Sequence, residues 1–228
     1  MNPSYMRLLG LTLAAIGAIP APGAAQVAPT ISELADYRGI AKAAAEGDFG
    51  SIESLALAGA GLEPRDRNGR TPFLIAAHQG QLKAMEALAK AGADANALDL
   101  QAYDAVTIAA VANDVRSLRT ALRLGKRATN ITSPYHGTAL IAAAHLGHDE
   151  VVRILIEAGA PLNHVNNLGW TALTEAVILG DGGERHHKVV GYLVRAGADR
   201  NIADRNGVTP LEHARQRGYD AIAGLLAK

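Results

Sequence analysis

Apolar positions recur along the chain with the spacing of short amphipathic helices, and the clearest example is the stretch 66–98. Thr71 can cap a first helix there, because its hydroxyl accepts a hydrogen bond from an orphan backbone N–H, and Pro72 suits the first helical position. Gly80 and Gly92 mark the ends of a first and a second helix. One face of the second helix carries four apolar residues at i, i+1, i+4 and i+5, namely Ala84, Met85, Leu88 and Ala89. The pattern predicts two short helices joined by a turn.

The same unit returns along the chain with variations. Its capping position is held by Thr71, Asp104, Thr138, Thr171 and Thr209, in steps of 33, 34, 33 and 38 residues. Aspartate suits this position because it is also a strong N-cap. A degenerate copy that lacks Thr-Pro can be aligned over 32–65. A period near 33 residues indicates a repeat protein whose units are stabilised by their neighbours.

Thr-Pro-Leu openings, as at Thr209, and Gly-Ala-Asp turns, as at Gly197, accompany this period, and the chain resembles the ankyrin-repeat family over about 32–228. The resemblance implies an all-α solenoid of stacked helix pairs with β-hairpin or loop fingers and a concave face that binds other proteins. It implies about six repeats, at 32–65, 66–98, 99–131, 132–165, 166–203 and 204–228. The fold by itself does not name a function.

The first 25 residues have the pattern of an export signal. Arg7 supplies the positive charge, 8–19 is a twelve-residue apolar run, and 23–25 offers small residues for cleavage. A membrane-spanning helix is the alternative, but it needs about 20 apolar residues. We therefore predict a signal peptide over 1–25, a flexible leader over 26–31, and a periplasmic protein that is not held at a membrane after cleavage. Secretion beyond the cell is the alternative location.

Composition excludes several classes of function. The chain has 22 basic and 22 acidic residues, so there is no gross electrostatic case for binding nucleic acid or an anionic membrane. Cysteine is absent, which removes disulfides, thiol catalysis and Cys-ligated zinc. A basic run in the third repeat reads as a solvated outer face or as a patch for an acidic partner; it consists of Arg116, Arg119, Arg123, Lys126 and Arg127.

Catalytic and metal chemistry find little support in the sequence. There is no Walker loop, no G-x-G-x-x-G after a strand and no recognisable triad motif, so we expect no enzyme and no cofactor. An insertion at 181–188 holds His186 and His187 with Asp181 and Glu184, which could ligate a metal. Adjacent histidines diverge and zinc needs three or four converging ligands, so a solvated loop is the preferred interpretation, with a metal-dependent activity as the alternative.

The resemblance also places a partner-binding surface on the fingertips and on the exposed side of the first helices. The residues that it carries over are Arg67, Asn68, Arg70, His78, Gln79, Tyr103, Tyr135, His136, His145, Leu146, Leu168, Trp170, Ile178 and Leu179. Tyr103, Tyr135 and Trp170 would form a central aromatic strip, since Tyr, Trp and Arg dominate interface energies. Trp170 could instead pack against the adjacent finger.

The third finger has Ala102 where the second has Gly69, which leaves open whether Tyr103 projects as the other fingers do. The same irregularity predicts that residues 99–131 form the weakest joint of the array. From the surface as a whole we expect a monomeric, non-catalytic protein-binding module whose partner the sequence does not identify.

Overall fold

The computed structural model describes residues 27–125 and 127–227, so the predicted signal over 1–25 lies outside the described residues. The described residues form thirteen α-helices and no β-strand. The helices are α1 (Ile31–Asp36), α2 (Gly39–Glu46), α3 (Phe49–Leu57), α4 (Pro72–His78), α5 (Leu82–Ala91), α6 (Ala105–Val111), α7 (Val115–Gly125), α8 (Ala139–His145), α9 (Asp149–Glu157), α10 (Ala172–Ile178), α11 (Glu184–Arg195), α12 (Pro210–Gln216) and α13 (Asp220–Leu226). None of these helices is long and apolar enough to cross a membrane.

After α1 the helices form six consecutive pairs, α2 with α3 through α12 with α13. The first helices of the pairs pack one on the next in chain order, and the second helices form a parallel row behind them. Each pair therefore contacts mainly its neighbours, which is how a solenoid without a central core is stabilised. The predicted all-α solenoid of helix pairs is confirmed.

Five first helices begin at the residues that the sequence predicts as caps. Each cap accepts a hydrogen bond from the backbone N–H three residues later; the caps are Thr71, Asp104, Thr138, Thr171 and Thr209. Their spacing along the chain therefore sets where each helix pair starts.

Close packing between neighbouring first helices depends on small side chains. The fifth residue after each cap is an alanine that is at most 1% exposed, at Ala76, Ala109, Ala143, Ala176 and Ala214. A methyl side chain at this position lets the next helix approach, and the apolar cluster continues through both rows.

The fingers between pairs are turns rather than β-hairpins. The described residues hold one isolated antiparallel bridge, between Thr132 and Gly137. Successive fingers are joined by single backbone hydrogen bonds of 2.8–3.0 Å, from Leu100 N to Asn68 O, from Ser133 N to Ala102 O and from Asn167 N to Tyr135 O. Of the two forms that the sequence predicts, the loop form is the one present.

The third finger keeps its turn without a glycine. Ala102 adopts a φ of 60°, close to the 74° of Gly69, and its N–H still donates to the Asp99 carbonyl at 3.0 Å. The left-handed conformation is costly for a residue with a Cβ, so this turn is formed with local strain.

The N-terminal segment is more ordered than the sequence suggests. Thr30 and Glu33 form a capping box that starts α1 at Ile31, and the carbonyl of Val27 accepts a 2.8 Å hydrogen bond from Arg70 Nη1. The prediction of a flexible leader is therefore wrong at least for its final residues. The sequence signal was present, since Thr30 followed by Glu33 is a capping-box pattern.

The insertion in the fifth repeat also differs from prediction. Its second half is helical, because α11 begins at Glu184 and includes His186, His187 and Lys188. His186 is only 8% exposed. The prediction of a solvated loop over 181–188 is wrong for these residues: the insertion mainly lengthens a helix.

Candidate functional site: a cavity between the third, fourth and fifth repeats

We call the surface formed by the finger turns and the exposed side of the first helices the finger face. A cavity of about 110 Å³ lies on it between the third, fourth and fifth repeats. It brings together six of the predicted partner-binding residues, Tyr103, Tyr135, His145, Leu146, Leu168 and Leu179. These residues come from three consecutive repeats, so the cavity exists only in the stacked array.

A small residue directly before the fourth cap contributes to this space. Gly137 occupies the position that carries a larger side chain in the other aligned repeats, as Arg70, Tyr103, Trp170 and Val208. A Cβ added at Gly137 would meet Ser133 Oγ at 3.4 Å, so the position has room for a methyl group. The fourth finger therefore leaves open a volume that its neighbours fill.

A second small residue lies on α8, four positions after the cap. Ala142 is aligned with Ile75, Ile108, Glu175 and His213. Ile75 and Ile108 are each 1% exposed, which shows that the solenoid accepts a full isoleucine at this position in its second and third repeats. Ala142 thus removes apolar volume where the fold does not require a small residue.

One acidic side chain lines the cavity, and sequence reasoning missed it. Glu175 of α10 is 5% exposed and takes the aligned position of the buried isoleucines. Its Oε1 accepts a 2.8 Å hydrogen bond from Asn166 Nδ2, and its Oε2 lies 3.3 Å from His145 Nδ1. The signal that could have found it is an acid at an apolar position of the repeat, visible when the copies are aligned.

The two tyrosines contribute differently. Tyr103 is only 3% exposed, and burial, together with the nearby Asp99 and Tyr135, raises the pKa of its phenol to about 12. The interpretation of Tyr103 as a projecting interface anchor is therefore wrong, although its ring lines the cavity. Tyr135 is half-buried and leaves part of its side chain at the surface.

Trp170 does not complete the predicted aromatic strip, because it is outside the cavity lining and partly buried. Ile178 is 8% exposed and presents little surface. His136 is exposed at the fourth fingertip, where its carbonyl contacts His164 Nε2 at 2.6 Å. These three predicted residues are on the same side of the array but do not form one site with the cavity.

The predicted residues of the second repeat form a separate group. Arg70 is 0% exposed and is enclosed by Glu33 and Asp66, so its proposed contact with a partner is wrong. Arg67 also contacts Glu33 but its side chain is 73% exposed. Asn68 Nδ2 donates to the same carboxylate at 2.8 Å. This finger is largely engaged with the N-terminal helix.

His78 and Gln79 lie partly exposed at the end of α4. His78 Nε2 is buried without a hydrogen-bond partner among the described residues. Burial, and secondarily the charge of Arg70, lowers the pKa of His78 to about 4. At neutral pH its ring is therefore uncharged and adds no positive charge to the finger face.

The insertion residues do not converge as metal ligands. His186 places Nδ1 2.8 Å from Asp181 Oδ1 and Nε2 3.0 Å from the carbonyl of His145. Both ring nitrogens therefore already have partners within the chain. No group of three or more His, Cys, Asp or Glu side chains in the part of the chain described here could hold a metal ion.

The basic run of the third repeat lies on the second-helix row, where two of its members pair with neighbouring repeats. Arg119 Nη2 is 3.6 Å from Glu150 Oε1, and Arg123 Nη2 is 2.5 Å from Glu86 Oε1. Lys126 lies outside the described residues. These pairs favour the interpretation of a solvated face with inter-repeat ion pairs.

An array of helix pairs that stack through capped first helices defines a solenoid repeat protein. A family profile described as "Ankyrin repeats (3 copies)" matches residues 107–199, and one described as "Ankyrin repeat" matches residues 68–100. The chain belongs to the ankyrin-repeat family, as its resemblance predicts.

Bacterial relatives agree with this assignment. The putative ankyrin repeat protein YahD of Escherichia coli K12 is 39% identical over 98 residues, which cover 42% of this chain and 49% of YahD. The match thus spans about half the length of that curated relative. An ankyrin repeat domain from Acinetobacter baumannii AYE is 42% identical with a TM-score of 0.76, over 82% of this chain and 95% of that domain. The ankyrin repeat protein EF0377 is 31% identical with a TM-score of 0.77, over 84% of this chain and 98% of that protein.

Proposed function

We propose that this protein is a non-catalytic protein-binding module of the bacterial periplasm and that its partner docks on the finger face. The observation that carries the proposal is the cavity, which joins apolar and aromatic side chains from three consecutive repeats beside a single buried carboxylate. Concave sites with apolar walls and a few polar groups are the usual form of binding sites. Ankyrin repeats are a generic protein-interaction module, which agrees with this role.

A catalytic role has weaker support. His145 contacts Glu175, but within the described ranges its ring forms no hydrogen bond with a serine or threonine hydroxyl, as a nucleophile and its base would. The alternative of a metal-dependent activity would require His186 to give up both of its present ring contacts. Binding without catalysis is therefore the function that the geometry supports best.

Affinity capture with matched variants tests the docking surface. The full chain with a C-terminal tag is used to capture its partner from periplasmic extract, and the captured protein is then titrated against each variant. Tyr135→Ala combined with Trp170→Ala should weaken binding by about 2 kcal/mol, or roughly 30-fold, if these side chains are anchors. Arg123→Ala combined with Glu157→Ala, on the second-helix row, is the control and should leave the affinity unchanged.

Equal affinity of the Tyr135 and Trp170 double variant, with its helical content intact, would reject the finger face as the docking surface. Location is tested separately, because it rests on the signal pattern of residues 1–25. Fractionation should place the protein in the periplasm, and mass spectrometry should find Gln26 as its first residue. Recovery of the protein from the culture medium would favour the secreted alternative.

A further inference from the structure

The cavity has the size of a single side chain. Its volume of about 110 Å³ is comparable with the engineered cavity of about 150 Å³ that holds benzene. It is too small for a helix or a strand of a partner to enter. What it can receive is one extended side chain from a segment lying across the fourth finger.

Its charge selects among the possible side chains. Glu175 is the one carboxylate that lines the cavity, and no lysine or arginine lines it. A carboxylate offers about four acceptor positions, of which Asn166 occupies one, and His145 Nδ1 lies 3.3 Å from the other oxygen. The walls are apolar, so an aliphatic stem would be buried on the way to the carboxylate.

We propose that the cavity is a specificity pocket for a lysine or arginine side chain of the partner protein. This proposal rests on the proposed function and names the chemistry that the finger face recognises. The stem of the basic residue lies against Ile141, Leu146 and Leu179, and its charged head group donates to Glu175. Tyr135 contributes the face of its ring beside the stem and head group.

Neighbouring repeats explain why the pocket is confined to this place. The second and third repeats carry Ile75 and Ile108 at the positions of Ala142 and Glu175, so they have neither the space nor the charge. A buried carboxylate costs desolvation energy unless it is hydrogen-bonded and paired. Glu175 is nevertheless present beside a space at Ala142 that an isoleucine could fill, which is consistent with a cation as the ligand of the pocket.

The test uses side-chain probes and the full chain labelled with ¹⁵N. The probes are the N-acetyl, N-methylamide derivatives of lysine, arginine, norleucine and glutamate. The lysine or arginine probe should give saturable shifts of the amide resonances of Ile141, His145 and Glu175. Its dissociation constant should be at least about tenfold lower than that of the norleucine probe, because a charge-assisted hydrogen bond is added. The two basic probes show which head group fits better. Glutamate should give no saturable shift.

Two variants and one control connect the shifts to the pocket. Ala142→Ile fills the space with the residue that α4 and α6 already accommodate, and it should abolish the shifts while the protein remains folded. Glu175→Gln keeps the hydrogen-bonding shape but removes the charge, and it should reduce lysine or arginine binding to that of norleucine. Glu46→Gln removes one charge from the exposed end of α2 and should have no effect.

Norleucine binding as tightly as lysine and arginine, unchanged binding to Glu175→Gln, or no saturable shift with any probe would each overturn the proposal. These outcomes are distinct from failure of the proposed function. If the probes fail but Tyr135→Ala with Trp170→Ala still weakens partner capture, the finger face binds a partner without this pocket. If the probes succeed but that double variant captures the partner normally, the pocket binds basic side chains without receiving the partner, and the proposal is overturned.

Discussion

Arg70 and Glu33 form a buried ion pair between the second finger and the N-terminal helix, with Arg70 Nη2 donating to Glu33 Oε1 at 2.5 Å. The Arg70 side chain is 0% exposed and the Glu33 side chain 8%. Arg70 Nε also donates to Asp66 Oδ2 at 2.7 Å, and Tyr37 donates its hydroxyl to the same oxygen at 2.6 Å. This network joins the N-terminal helix to the second finger at the first end of the described solenoid.

Replacing Arg70 by Met should destabilise the protein by about 3–5 kcal/mol, because Glu33 and Asp66 would remain buried without their cation. Methionine keeps much of the volume of the arginine stem, so the loss reports mainly on charge. Urea unfolding followed by circular dichroism measures the change.

Arg67→Ala is the matched control for this charge effect. Arg67 bonds to the same Glu33 oxygen at 3.0 Å but its side chain is 73% exposed, so its loss should cost less than about 1 kcal/mol. Similar losses for Arg67→Ala and Arg70→Met would contradict a special role for the buried pair.

Acid should weaken the same end of the array. Burial alone would raise the pKa of Glu33, but hydrogen bonds from Thr30 and the charge of Arg70 outweigh it and lower the pKa to about 2, from an ordinary 4.5. The unfolded chain therefore takes up this proton more readily, and the contribution of Glu33 is lost as the pH falls from about 4.5 to about 2. Unfolding free energies at pH 6, 4 and 3 should fall less steeply for Glu33→Gln than for the wild type. Parallel pH profiles would count against this account.

The sequence predicted the regular features of the fold because they depend on local chemistry. Caps such as Thr71 and Asp104 act within one turn of their own helix, so their positions could be read directly. Burial of Arg70 could not be predicted in this way, because it depends on a contact with Glu33 of α1, 37 residues earlier in the chain.

The candidate site shows the same limit. Its predicted members, such as Tyr135 and Leu146, followed from their place in the repeat. The cavity itself arises because the side chains at two other positions are small. Gly137 and Ala142 carry no chemistry that would mark them as site residues. Glu175 stands out when the repeats are aligned, but its contact with His145 exists only once the fifth repeat is stacked on the fourth.

Relieving the strain of the third finger should stabilise the protein. Ala102 holds a φ of 60°, and glycine adopts that conformation without a Cβ penalty. We expect Ala102→Gly to raise the free energy of unfolding by about 0.5–1 kcal/mol, since the relief of about 1–2 kcal/mol is partly offset by the entropy of glycine in the unfolded chain. Amide hydrogen exchange over 99–131 should slow in the variant if this repeat is the weakest joint.

The reverse substitution in the second finger is the natural comparison. Gly69 has a φ of 74°, and a Cβ there would lie 2.9 Å from Leu100 N and 2.8 Å from Leu100 Cγ. Gly69→Ala should therefore destabilise the protein by more than about 1 kcal/mol. A neutral effect would mean that the fingers yield easily and that Ala102 carries little strain.

Two adjacent histidines of the insertion should differ sharply in their effect on stability. His186 bridges Asp181 and the carbonyl of His145, whereas His187 is partly exposed on the same helix. His186→Ala should cost about 1–3 kcal/mol, because it removes both contacts and leaves the partly buried carbonyl of His145 without this partner. His187→Ala should stay within about 0.5 kcal/mol, as most surface substitutions do. Thermal unfolding measures both changes in stability. Equilibrium dialysis with zinc adds an independent measurement. Stoichiometric zinc binding that is lost in each of the two variants would establish a metal site here, against the interpretation drawn from the contacts of His186.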